Sequence, residues 1–207
     1  MAPRNKFTKE EMVAAALRVV RSKGIDGLTA KTMASALGTS TQPIFTAFGS
    51  MEGVRQAVYA AAIRVYDDYT NAGLQRETPF LGVGMQYIRF AQDVPELYRL
   101  LFLAQARTQE CSTTTSMRYL QEKVCPTLMS IYHITAEEAE FYFRNLWLVV
   151  HGLSTLIVTG NCPYNEQEIE QTLMSFSISI CKSIKEIPGF VAGSFNRDEV
   201  FRSIVCK

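Results

Sequence analysis

The stretch TAKTMASALGTSTQPIFTAFGS, residues 29–50, predicts two short amphipathic helices separated by a glycine turn. Thr29 is placed to cap the first helix, and Gly38 ends it, because glycine readily adopts the left-handed conformation that closes a helix. Ser40 is the expected cap of the second helix, with Pro43 in its first turn, where a missing N–H costs little. This spacing is typical of a helix-turn-helix, whose second helix lies in the major groove of DNA.

The second of these helices has an apolar side and a side that is left for solvent or DNA. Ile44 and Phe48 are four residues apart, so both can anchor the helix to a core. The residues expected to face outward are Thr41, Gln42, Phe45 and Thr46. An exposed ridge of this kind is what a DNA-reading helix requires.

The candidate DNA contacts fall into two classes, because phosphates supply most of the affinity and base edges supply the specificity. Gln42 can bind adenine through two hydrogen bonds, and an apolar side chain can contact the thymine methyl group. The candidates for base reading are Gln42, Thr39 or Thr41, and Phe45 or Pro43, and Thr46 on the same face is a further candidate DNA contact. The candidates for phosphate contact are Arg4, Lys6, Thr29, Lys31 and Ser50.

The charge of the chain is divided unevenly along its 207 residues. Residues 1–56 hold eight basic and four acidic residues, a net +4, whereas residues 57–207 hold thirteen and sixteen, a net −3. A basic head on a mildly acidic body is typical of a DNA-reading module joined to a module with another role. We therefore predict a DNA-binding domain at 1–50 and an effector-binding and dimerisation domain at 51–207.

Helical periodicity continues through the rest of the chain, so the predicted fold is all-α, a three-helix head followed by a helical bundle. Thr8 and Glu11 form a capping box for the first helix, which Gly24 ends. Similar start signals precede two long helices near the end of the chain, at Thr135 and Asn165. The fourth helix is expected to begin at Ser50. Three further helices are predicted at residues 79–92, 95–104 and 114–132.

Several classes of protein are disfavoured by composition. The five cysteines are odd in number, widely spaced and without a C-x-x-C pair, which argues against a zinc site or a disulfide framework. A run of about eighteen apolar residues, the length of a membrane span, is also missing. We expect a cytoplasmic protein without metal, cofactor or membrane partner.

The two long helices near the end of the chain predict a four-helix interface of a homodimer. The residues expected at that interface are Leu153, Leu156, Leu173, Phe176, Ile180 and Ile184. The alternative is that both helices are buried within a single subunit.

The middle of the chain predicts a pocket for a small, mainly apolar effector, since such pockets are apolar with a few orienting polar groups. The candidate residues are Met85, Tyr87, Phe90, Phe102, Arg144, Trp147 and His151. Each is also compatible with an ordinary place in the core, where His151 would bind a backbone carbonyl.

Residues 8–58 resemble the DNA-binding head of TetR-family transcriptional regulators in helix spacing and turns. The segment Trp147-Leu148-Val149-Val150-His151-Gly152 is similar to the W-x-x-x-H-G signature in the ligand and dimer domain of one TetR subgroup. The resemblance implies a homodimer that binds a pseudo-palindromic operator and releases it when a small molecule enters the body. Thr46, Ala47 and Met51 depart from the family pattern, which has an aromatic, a histidine and a lysine at these places.

Two alternatives remain beside a ligand-responsive repressor. The chain could be an all-helical small-molecule-binding protein or enzyme whose head only imitates the motif, although no G-x-S-x-G, P-loop, H-E-x-x-H or dinucleotide fingerprint is present. We therefore expect no enzymatic activity. Cys111, beside a run of serines and threonines, could instead be a redox sensor of a DNA-binding protein.

Overall fold

The structure, a computed structural model, describes residues 7–103 and 113–205. These residues form ten α-helices, and no strand occurs among them. The predicted all-α fold is confirmed. Arg4, Lys6 and Cys111 lie outside the described residues.

The head begins with α1 (Lys9–Lys23), a single 3-10 turn (Ile25–Gly27), α2 (Ala30–Leu37) and α3 (Gln42–Phe48). The capping box at the start of α1 is confirmed, because the Glu11 amide donates to Thr8 Oγ1 at 3.1 Å and the Thr8 amide donates to Glu11 Oε2 at 2.7 Å. Gly24 is the C-cap of α1, as predicted.

The predicted cap of α3 is corrected by one residue. Thr41, not Ser40, occupies the N-cap position, and no side-chain hydrogen bond caps this helix. Thr41 already has helical backbone angles (φ −74°, ψ −18°), so its carbonyl accepts from the amides of Ile44 and Phe45. Pro43 lies in the first turn, where its missing N–H removes no helical bond.

The later helices are listed here as the structure has them: α4 (Met51–Leu74), α5 (Pro79–Asp93), α6 (Pro95–Tyr98), α7 (Thr113–Tyr132), α8 (Ala136–Val158), α9 (Glu166–Glu186) and α10 (Arg197–Val205). The helix predicted at 95–104 is α-helical only in its first turn, and Arg99–Leu103 continue it as a π-helical turn. This turn contains two buried apolar side chains, Leu101 and Phe102.

Start signals at the last two long helices are confirmed. Thr135 and Glu138 form a capping box before α8, and Asn165 and Glu168 form one before α9. Each box pairs two backbone amides that would otherwise lack partners at a helix start. Local capping chemistry therefore fixes where these helices begin.

Contacts divide the described residues into two compact units. The first unit comprises the described parts of Met1–Ala72 and Arg89–Tyr119, and the second those of Gly73–Ile88 and Leu120–Lys207. The division falls within α4, α5 and α7, so it does not follow residue 50, and the functional division into 1–50 and 51–207 stays a prediction. In each unit the buried side chains are mainly apolar.

One helix, α8, is long and apolar enough to span a membrane by length and composition. In the structure 44% of its most apolar 18-residue window is buried. Tyr142, Phe143 and Leu146 of this helix are each at most 2% exposed. Its apolar character therefore serves at least in part to fill the core of the second unit.

Candidate functional site

The α2–α3 pair has the geometry of a helix-turn-helix. Gly38 ends α2 in the left-handed region (φ 63°, ψ 40°), a conformation that favours glycine, and its amide bonds back to the end of α2. Met33 on α2 and Ile44 on α3 are both fully buried, so each helix is fixed by an apolar anchor. Thr29 forms a capping box with Thr32, and the Thr32 amide donates to Thr29 Oγ1 at 3.1 Å.

The predicted outward face of α3 is exposed. Phe45 leaves 40% of its surface in solvent although it is large and apolar. Thr46 Oγ1 donates to the Gln42 carbonyl at 3.0 Å, so this hydroxyl has oxygen lone pairs left for another donor. The exposed residues on this face are Thr41, Gln42, Phe45 and Thr46, with Pro43 and the preceding Thr39 half-buried.

The residues predicted to contact phosphate differ in their exposure and in the hydrogen bonds that they already make. Lys31 is exposed on the first turn of α2. The hydroxyls of Thr29 and Ser50 already cap helices, since Ser50 Oγ accepts from the Gly53 amide at 3.1 Å. Helix α3 itself carries no charged residue. Among the described residues predicted to contact phosphate, Lys31 is therefore the one with a positive charge.

Three of the predicted effector residues form one cluster in the second unit. Tyr87 Oη lies 3.1 Å from His151 Nδ1, and the rings of Trp147 and His151 stack at 4.6 Å with a 10° interplanar angle. Burial lowers the pKa of His151 below its usual value, so the neutral ring is favoured. Among the described residues, Trp147 Nε1 is buried without a hydrogen-bond partner.

The space beside this cluster is too small for an effector. Tyr87 and Trp147 help to line a cavity of about 20 Å³, which holds roughly one water molecule. Its other walls are apolar, so a bound molecule would need further room. Tyr87 and Trp147 are buried and His151 is half-buried, so in this structure the cluster is packed and leaves no open binding site.

The cluster of Tyr87, Trp147 and His151 does not include the remaining predicted effector residues, whose role stays a prediction. Phe90 and Phe102 belong to the first unit, where their ring centroids lie 5.1 and 5.2 Å from Tyr66. Arg144 is exposed, with its guanidinium 5.7 Å from the Phe141 ring. Met85 is only half-buried. The apolar character of a residue alone does not distinguish a pocket-lining residue from a core residue.

A larger cavity of about 510 Å³ was missed by the sequence prediction. Its walls come from the start of α5, the end of α7 and one flank of α9, all within the second unit. Met174 and Ile178 are exposed on that flank, at 45% and 59%. Their four-residue spacing was the available signal, because it marks an apolar stripe beside the one assigned to the dimer interface.

The residues predicted to form the dimer interface differ in how exposed they are. Leu153, Leu173 and Ile184 are at most 8% exposed within the subunit, so they have almost no surface left for a partner and their assignment is corrected. Leu156 and Phe176 are 38% and 47% exposed and remain available. Ile180 is half-buried.

Within residues 7–103 and 113–205, no group of three or more histidine, cysteine or acidic side chains could hold a metal. Cys125 is buried, which raises the pKa of its thiol to about 11. That thiol is therefore protonated and unreactive near neutral pH.

A described family matches the middle of the chain, over somewhat less than half of its length. Residues 80–176 match the "Tetracyclin repressor-like, C-terminal domain". This span includes Trp147, His151 and Gly152, the residues of the W-x-x-x-H-G signature.

Relatives agree with that match. An uncharacterised HTH-type transcriptional regulator of Mycobacterium tuberculosis is 28% identical over 161 residues, covering 75% of this chain and 72% of its own. A TetR-family structure from Streptomyces coelicolor A3 has a TM-score of 0.62 at 20% identity and covers 84% of this chain and 98% of its own. The multidrug binding protein EbrR, solved with malachite green, has a TM-score of 0.60 at 20% identity with the same coverage. The structural matches show a shared fold.

Proposed function

We propose that this chain, which belongs to the TetR family of ligand-responsive transcriptional regulators, binds a pseudo-palindromic operator as a homodimer and releases it when a small molecule binds. Regulators of this family bind operator DNA and small ligands, typically as dimers, and they are in general not enzymes. The proposal places the protein in the cytoplasm as a repressor.

The observation that carries this proposal is the contrast between the two sides of α3. Ile44 is fully buried, whereas Gln42 and Phe45 on the other side are exposed. Leaving a large apolar side chain such as Phe45 in water is unfavourable by itself. Packing against thymine methyl groups in the major groove would remove this exposure.

The proposed DNA contacts follow from these positions. Gln42 reads adenine, Phe45 contacts a thymine methyl, and Lys31 neutralises a phosphate. In a two-fold dimer the two α3 helices meet half-sites roughly 34 Å apart, one turn of the duplex. Ligand binding releases the operator by changing that separation.

The proposed dimer contact lies on α8 and α9. Leu148 and Leu156 are exposed at 58% and 38%, and Gly152 lies between them on the same helical face. A methyl group added to Gly152 would meet no atom of its own subunit within 4 Å, so packing within the subunit does not explain a glycine in the middle of α8. Close approach of a second helix at Gly152 does explain it, and the exposed Phe176 is the proposed contact on α9.

The test is a gel-shift titration of the full-length protein against DNA upstream of its own gene. Gln42→Ala is expected to weaken specific binding by about 1–3 kcal/mol without changing stability. Gln167→Ala, the same change at an exposed position on α9, is the matched control and should bind as the wild type does. Lys31→Ala should lower the salt slope of binding by about one unit per subunit, about two for the dimer.

Two outcomes would overturn the proposal. If Gln42→Ala and Lys31→Ala both leave specific binding unchanged, the assigned surface is wrong. If the wild-type protein binds no specific DNA but does bind small molecules, the alternative of a small-molecule-binding protein without operator recognition replaces it.

A further inference from the structure

The cavity of about 510 Å³ in the second unit has the size of a small-molecule site, since such sites span roughly 300–1,000 Å³. Most of its wall is apolar and comes from two helices, with Phe80 and Leu81 on α5 and Leu173, Met174 and Ile178 on α9. Met174 and Ile178 leave about half of their surface in water. An apolar ligand in the cavity would cover both, which favours binding.

Charge is confined to the part of the cavity wall formed by the end of α9. Lys182, Lys185 and Glu186 are the charged residues among its lining, which leaves one net positive charge. Lys185 Nζ donates to the His133 carbonyl at 2.9 Å, so this lysine is tied to the turn after α7. Lys182 Nζ lies 3.8 Å from Glu186 Oε2 in a long, exposed ion pair.

Such an exposed ion pair contributes little, so Lys182 can exchange it for another anion at small cost. An acidic group on the ligand would add the negative charge that this end of the cavity lacks. A cationic group would instead face two ammonium groups and one carboxylate.

We propose that this cavity is the effector site and that its ligand is an apolar molecule with a single acidic group, of the medium-chain carboxylate class. The apolar body lies against Phe80, Leu173 and Ile178, and the carboxylate accepts hydrogen bonds from Lys182. The role as effector rests on the proposed function, whereas binding itself does not.

The test is isothermal titration calorimetry of the full-length protein with three probes of one chain length, used below their micelle concentrations: decanoate, decanol and decylamine. Decanoate is expected to bind at least threefold more tightly than decanol, and decylamine more weakly than either. Equal affinity for decanoate and decylamine, or no binding of decanoate, would overturn the proposal.

Two variants locate the bound molecule. Lys182→Gln should weaken decanoate binding by about threefold, the size expected for one partly exposed ion pair, and should leave decanol binding unchanged. Arg202→Gln removes an exposed charge of the same unit that is not in the cavity wall, so it is the matched control. Decanoate affinity that falls equally in both variants would show a general charge effect and contradict the site.

Ile178→Trp fills the cavity with a bulky side chain and should reduce decanoate binding at least tenfold. Ile131→Trp makes the same change at an exposed position of α7 outside the cavity wall and should bind normally. Unchanged binding in Ile178→Trp would place the ligand elsewhere. Operator release by decanoate is then measured by gel shift, and its failure with intact cavity binding would reject the effector role but leave the operator surface untouched.

Discussion

Helices α3 and α9 are both amphipathic, but buried and exposed side chains are separated more clearly on α3 than on α9. On α3 a single fully buried residue, Ile44, lies opposite an exposed face that contains Gln42 and Phe45. On α9 apolar side chains occur on three sides, with Leu173 buried and Phe176 and Ile178 exposed on different flanks. A helix with one apolar stripe can pack in one way, with that stripe against the core. The apolar residues of α9 instead lie in the core, in the wall of the cavity and on the exposed surface.

The largest expected effect tests the anchor of α3. Ile44→Ala should lower the free energy of unfolding by about 2–5 kcal/mol, because it leaves a cavity in a fully buried site. Phe45→Ala, at the neighbouring exposed position, should change stability by less than about 0.5 kcal/mol and still weaken operator binding. Urea unfolding and gel shift measure both. Equal destabilisation by the two variants would break the contrast between the sides of α3.

The next effect tests the outer surface of α8. Gly152→Leu should weaken the proposed dimer by about 1–3 kcal/mol, because a bulky side chain overpacks a close helix crossing. In an isolated helix the same change is favourable, since glycine is about 1 kcal/mol less favourable than the best helix formers. Sedimentation over a range of protein concentrations measures dissociation. An unchanged dimer with raised stability would show that Gly152 faces solvent.

A smaller effect separates the predicted caps of α2 and α3, Thr29 and Ser40. Thr29→Ala should lower the free energy of unfolding by about 1 kcal/mol, because the Thr32 amide loses its acceptor. Ser40→Ala should be nearly neutral, because no side-chain hydrogen bond caps α3. Urea unfolding compares the two variants. A larger loss at Ser40 than at Thr29 would restore the original assignment of the α3 cap.

The smallest effect concerns pH and lies in the core of the second unit. Burial lowers the pKa of His151 below its usual value of 6.5, so the unfolded chain binds a proton more readily than the folded one. The stabilisation from this group is complete above pH 6.5 and is lost as the pH falls below it. His151→Gln should reduce the acid-side loss of stability, measured as unfolding midpoints at pH 8 and pH 5.5. Identical pH slopes in both proteins would contradict burial of the neutral ring.

The head was largely predictable because its signals are local. Thr8, Thr29 and Gly38 act on atoms within five residues, and their roles in capping were correct. Each such signal depends on backbone groups that must be paired wherever the helix packs. The error at Ser40 is of the same local kind and moved one cap by one residue.

The body was less predictable because its pattern allows more than one path along α9. Steps of three and four residues connect Leu173 to Ile180 through either Phe176 or Ser177. The structure buries Ser177 further than Phe176, and its hydroxyl pairs with Tyr142 Oη at 2.6 Å. A serine inside an apolar stripe becomes favourable only when a buried partner is present, and periodicity does not reveal that partner.

Trp147 is the single tryptophan of the chain and lies in the second unit, stacked on His151. The tryptophan emission of the protein therefore originates in one known place, with no contribution from the head. A change in that emission when operator DNA is added would report, without any label, that an event at α3 alters the surroundings of one indole ring in the body.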